Sequence, residues 1–199
     1  MPKIHWIGII DEKEIEKYQK GELNSKAVKM KMPTTMNEMM TKALPFLIPA
    51  FIIMFALMNI KTSINQQNVV NRLFILIGAI IGFALLLVHE VLHAIVYPKG
   101  VNTYVGIAKP ITFVALASYP LSKKRFIVMC LLPYMLGIIP LIVFWLSPAY
   151  LRELNGVLFG MACMGMASPY PDAYTVYQVI KQVPKNKQVQ YYGEDIYYV

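Results

Sequence analysis

The chain has 199 residues, 57% of them hydrophobic and only 15% charged, with a positive mean hydropathy. That composition excludes an ordinary soluble domain and reads as an integral membrane protein whose first partner is the lipid bilayer. The formal net charge of +8 does not point to nucleic acid, because the basic residues sit in short segments between apolar runs, where they set orientation.

The N-terminal segment, 1–42, has a short apolar run at 4–10 followed by "DEKEIEKYQKG". Asp11, with Glu14 three residues later and Gly21 beyond, predicts a capped surface helix. No apolar stretch here ends at a small-residue cleavage site, so the first span is expected to do the targeting. His5 is expected as a surface or core histidine. Apolar runs at 44–60, 73–97, 126–146 and 151–168 predict four transmembrane helices. Cys130 and Cys163 lie inside two of these runs and are expected as small hydrophobes. The segment "VNTYVGIAKPITFVALASYPLSKKRF", between the second and third runs, is rich in β-branched and aromatic residues and predicts a pair of short strands. The tail, 181–199, is polar and Tyr-rich, with no regular element predicted.

The fold class predicted is therefore an all-α membrane protein: a four-transmembrane-helix bundle over 43–180 with a short β-rich cytoplasmic loop between helices 2 and 3. Sixteen of the nineteen Lys and Arg lie before the first run, between the second and third, or after the fourth; the other connections hold only Lys61, Arg72 and Arg152. The positive-inside rule then places both termini and the β-rich loop in the cytoplasm of a multi-pass cell-membrane protein.

Within the second run, "LLLVHEVLHAIVYP" places His89, Glu90 and His93 in HExxH spacing. Residues four apart on a helix share a face about 6 Å apart, so two imidazoles can bind one Zn²⁺ while the glutamate reaches a water on it. Two histidines hydrogen-bonded in a bundle are the alternative, but three ionisable groups within five residues of a spanning helix are costly to bury without a function. Counted from Leu73, His89 lies about 24 Å along the axis, close to the cytoplasmic edge of a roughly 30 Å core. Gly78, Gly82, Leu85, His89 and His93 fall within an arc of about 80°, which predicts close packing against a neighbour. The natural partner is the fourth run, with Gly156, Gly160, Cys163 and Ala167 on a common face.

A catalytic zinc normally has three protein ligands. The remaining histidine, His5, is far away in sequence. The fourth run travels outward to inward and ends in "MASPYPDAYTVY", where Pro169 and Pro171 predict a break just before Asp172. Asp172 thus reaches the level of His93, whereas Glu153 lies at the opposite surface and Glu194 and Asp195 in the far tail. A helix-capping role is the alternative for Asp172.

An HExxH on a spanning helix, a β-rich cytoplasmic loop and a Pro-flanked aspartate together resemble the site-2 protease type of intramembrane metalloprotease. In size and arrangement the chain more closely resembles the small bacterial membrane zincin peptidase family, over roughly 73–180. The resemblance implies that His89, His93 and Asp172 match the metal ligands and Glu90 the catalytic glutamate. "SPYPDAY" departs from the Asn and Asp-Gly of the larger site-2 enzymes.

The function expected is a zinc-dependent membrane peptidase with a cytosol-facing site, acting on peptide or membrane-protein substrates. The alternative is a non-catalytic membrane zinc-binding sensor or scaffold. The charge distribution has a direct test: reporter fusions after Lys61 and after Ser147 should report the outside and one after Lys123 the cytoplasm. A cytoplasmic signal at Lys61 would reverse the orientation.

Overall fold

The computed structural model describes residues 1–199 apart from the side chain of Glu12. In chain order, strand β1 (Lys3–Ile10) leads through a 3-10 turn to helix α1 (Ile15–Tyr18), strand β2 (Val28–Lys29) and helices α2 (Met36–Ala43), α3 (Leu47–Asn65), α4 (Arg72–Ala84) and α5 (Leu86–Ile95). Strands β3 (Asn102–Ala108), β4 (Thr112–Leu116) and β5 (Leu121–Ser122) precede helices α6 (Lys123–Leu131), α7 (Met135–Leu146), α8 (Arg152–Ala167) and α9 (Tyr170–Gln182), and the hairpin β6 (Gln188–Tyr192) and β7 (Asp195–Tyr198) ends the chain.

Three helices among the described residues are long and apolar enough to cross a membrane: Met36–Asn65, Arg72–Ile95 and Lys123–Leu146. These coincide with the first three predicted spans. The fourth forms α8, but its sixteen residues give about 24 Å at 1.5 Å per residue, less than a bilayer core of about 30 Å. Ser168 and Pro169 end α8, and its first turn carries Arg152, Glu153 and Asn155. The expectation of an all-α chain is corrected: seven strands form two sheets, and the N-terminal segment contributes to both of them and the tail to one. At the predicted N-terminal cap, the Asp11 N–H donates to Glu14 Oε2 at 3.3 Å, but the helix that follows is a single turn.

The chain divides into two compact units. The first comprises Met1–Met39, Leu87–Leu132 and Asp172–Val199. One of its sheets has the order β1-β3-β4, with β1 parallel and β4 antiparallel to the central strand; the other has the order β2-β7-β6-β5 and is antiparallel. Met30, Leu121, Val189 and Ile196 from the second sheet's strands and their flanks pack with Phe126, Met129 and Cys130 of α6 and with Val176, Val179 and Val183 at α9. That core fixes α6, α9 and the sheet as one layered body, because apolar area leaves water only if the three stay together.

The second unit, Met40–Leu86 and Pro133–Pro171, is helical. α8 lies against α3, α4 and α7, with Gly156, Phe159, Gly160, Ala162 and Gly165 buried. Its contact with α4 is backbone to backbone. A Cβ on Gly78 would strike the Val157 carbonyl and one on Gly160 the Ile75 carbonyl, while one on Gly82 would come within 2.6 Å of Met164 Cβ. The small-residue faces predicted on the second and fourth runs do meet, so association here uses close van der Waals packing rather than side-chain bulk. Lys61, only 4% exposed, crosses to the end of α7 and donates through Nζ to the Phe144 carbonyl and to the Ser147 carbonyl at 2.7 Å. A cation there answers carbonyls that the ending helix leaves unpaired.

Gly160→Ala should therefore force α4 and α8 apart. We expect a loss of about 1–3 kcal/mol, the usual cost of overpacking, read as a lower unfolding temperature in detergent. An unchanged melting curve would show that this contact does not hold the unit together.

Candidate metal centre

His89, Glu90 and His93 lie on α5 and Asp172 in the first turn of α9. The first three offer ligand atoms within 4.8 Å of one another. α9 begins at Tyr170 after the two-residue break at Ser168 and Pro169, so Asp172 opens a new helix rather than trailing the end of an old one. A carboxylate in a first turn faces the positive end of the helix dipole, which favours its anionic form.

The geometry is tight. His89 Nε2 and His93 Nε2 are 3.0 Å apart, and Asp172 Oδ2 is 3.3 Å from the former and 3.5 Å from the latter. Glu90 Oε1 lies 3.9 Å from His89 Nε2, at the margin of this triangle. The side chains are 7% exposed for His89, 12% for His93 and 21% for Asp172, so the aspartate side of the group is the more accessible one.

One hydrogen bond decides what these atoms offer. His93 Nδ1 lies 2.9 Å from the Met129 carbonyl, and a carbonyl only accepts, so Nδ1 carries the proton. In the neutral ring Nε2 then holds a lone pair aimed at His89 and Asp172. With the ring neutral, His93 Nε2 and Asp172 Oδ2 both present electron pairs to the same point, where a proton on His89 Nε2 or a cation between the three atoms would join them. The edges of 3.0, 3.3 and 3.5 Å also match the edge of a tetrahedron with metal–ligand bonds of about 2.0–2.1 Å, which is about 3.3 Å. The residues fit a zinc ion.

Other groups shape the surroundings. The backbone of Ala115 in β4 lies beside the Glu90 carboxylate. His89 Nδ1 is buried with no hydrogen-bond partner among the described residues, so His93 alone of the pair has an orienting carbonyl. Burial pushes the Tyr191 phenol above its ordinary range in the apolar layer around α6. Of the remaining candidates, His5 pairs with Asn102 at 3.2 Å on the β1–β3 sheet, and Asp195 pairs with Lys29 at 2.6 Å on the other sheet. The Met129 carbonyl and the Ala115 amide are invisible in the sequence, because any residue type supplies a backbone group.

Two imidazoles four apart on one helix, a glutamate between them and a carboxylate from a second helix define a zincin-type centre. The chain belongs to the family described as "Putative zincin peptidase", whose profile matches residues 82–187, more than half of its length and all four of these residues. Among curated proteins and among solved structures, no match was found.

The triangle predicts one equivalent of zinc per chain. Asp172→Asn, His89→Ala and His93→Ala should each weaken zinc binding by more than about tenfold, measured by chelator competition on purified protein, whereas Glu194→Gln should match the unaltered chain. Full affinity in the Asp172→Asn variant would remove the aspartate from the ligand set.

Proposed function

We propose that the protein is a zinc-dependent integral-membrane peptidase with its site open to the cytosol, hydrolysing peptide bonds of membrane or membrane-proximal substrates. The observation that carries this reading is the convergence of two imidazole nitrogens and a carboxylate oxygen beside a glutamate at their margin. Membership of the zincin peptidase family supports the reaction class, and three apolar helices support the membrane. The charge asymmetry of the connections supports the cytosolic orientation.

His89, His93 and Asp172 would hold the zinc. Bound there, zinc supplies Lewis acidity that polarises a carbonyl and acidifies a water. Glu90 does the proton work: its carboxylate accepts a proton from the attacking water and returns it to the leaving amine, a transfer that needs the group within one hydrogen bond of both. The Met129 carbonyl keeps His93 in the tautomer that presents Nε2 inward. β4 is an edge strand of its sheet, and its backbone at Ala115 lies beside Glu90. An extended substrate lying along that edge would gain main-chain hydrogen bonds whatever its sequence.

Glu90→Gln is the test. A peptidase should keep its zinc and lose nearly all turnover of a reconstituted membrane substrate, with a fall of roughly 10²–10⁴-fold for a missing general base. A non-catalytic zinc sensor would keep both its metal and its function in that variant, and full function of Glu90→Gln in cells would replace the peptidase reading with the sensor.

A further inference from the structure

Helix α6 opens with Lys123, Lys124 and Arg125, directly behind Ser122, whose Oγ accepts the Arg125 N–H at 3.4 Å. Three cations at a helix N-terminus meet the positive end of its dipole, an unfavourable placement that asks for a compensating role. Two of the three have one. Arg125 Nε donates to the Val96 carbonyl at 2.6 Å, one residue past the end of α5. Lys123 Nζ donates to the Val183 carbonyl and, at 3.3 Å, to the Ile180 carbonyl, both at the C-terminal end of α9. Lys124 makes no such bond among the described residues.

We infer that Lys123 and Arg125 are positioning residues of the metal centre: they pin the C-terminal ends of the two ligand-bearing helices to α6, the helix that supplies the Met129 carbonyl. The inference rests on the zinc reading given above. α6 then touches α5 at two points, Arg125 on Val96 and Met129 on His93. Positions four apart on one helix meet positions three apart on the other, which fixes both sliding and rotation of α5. A slip of one residue is 1.5 Å, three times the half-ångström spread of the donor triangle. On α9, Ile180 stands eight residues beyond Asp172, about 12 Å along the axis, so a tilt of about 5° at the clamp moves the carboxylate by about 1 Å. Metal sites tolerate about half that. An orientation signal alone would treat the three cations alike, and the geometry does not.

The test uses purified full-length protein with zinc affinity by chelator competition and the visible absorption of bound Co²⁺ as a probe of ligand geometry. Lys123→Met and Arg125→Met should each weaken zinc binding about 10–100-fold, as loss of an orienting partner does, and shift the Co²⁺ bands. Lys123→Arg should restore both readouts, and Lys124→Met should match the unaltered chain. Unchanged affinity and bands in Lys123→Met and Arg125→Met overturn the clamp. So does an equal loss in Lys124→Met, or a loss that follows a lowered unfolding temperature of the metal-free protein and is not rescued by arginine. If the unaltered chain takes up neither metal, the zinc reading fails and the clamp with it; uptake by the unaltered chain with unchanged variants removes the clamp alone.

Discussion

The hydrogen bond from His93 Nδ1 to the Met129 carbonyl constrains everything around the centre. It fixes a tautomer, and through it the direction of a lone pair on a helix whose other polar side chains are His89 and Glu90. His89 and Asp172 answer that lone pair at 3.0 and 3.5 Å, and α5, α6 and α9 must stand at set heights for the three to meet. The apolar layer of Phe126, Met129, Val176 and Val179 holds α6 and α9 together. Non-directional burial supplies the proximity, and directional bonds at the rim supply the sub-ångström register.

Asp172 shows how a helix break places a carboxylate beside two imidazoles. Pro171 occupies the second position of α9, where its missing N–H costs nothing because first-turn amides have no intrahelical partner. Asp172 follows in the same turn, with the dipole behind it favouring the charged form. Had the helix run on through 168–169, the aspartate would lie inside a longer helix, with no dipole end aimed at it.

How much of this is legible in the sequence depends on the range of the interaction. HExxH is a local pattern, and its helix and spacing follow from five residues. The Gly78 and Gly160 faces are readable because small residues at helical spacing serve mainly to let two helices approach, and the backbones there do touch. β1 is not readable as a strand: it pairs parallel to β3, about a hundred residues away, and its short apolar run carries no mark of a distant partner. The β6–β7 hairpin escapes prediction although a local sign is present, a two-residue Gly193-Glu194 loop between Tyr-rich runs, with Gly193 at φ +59°. The fourth run reads as a span because α8 is apolar in composition, yet its burial comes from neighbouring helices, with Asn155 fully buried and donating to the Pro148 carbonyl at 2.9 Å.

Cations in this chain have a second use beyond orientation. Arg125 and Lys123 close the carbonyl ends of α5 and α9, and Lys61 closes the end of α7, resting 4.5 Å above the Phe144 ring. Lys61 is the informative case, because it lies in the last turns of α3, at the end that the charge count assigns to the outside, where a lysine works against the positive-inside bias. Its value there must come from the contact it makes. A helix that ends in apolar surroundings leaves carbonyls without water to bond, and one ammonium can serve several of them at once. The same reasoning accounts for basic residues at the start of α6, where the dipole disfavours them: the helix ends they close belong to other helices, and those helices carry the proposed metal ligands.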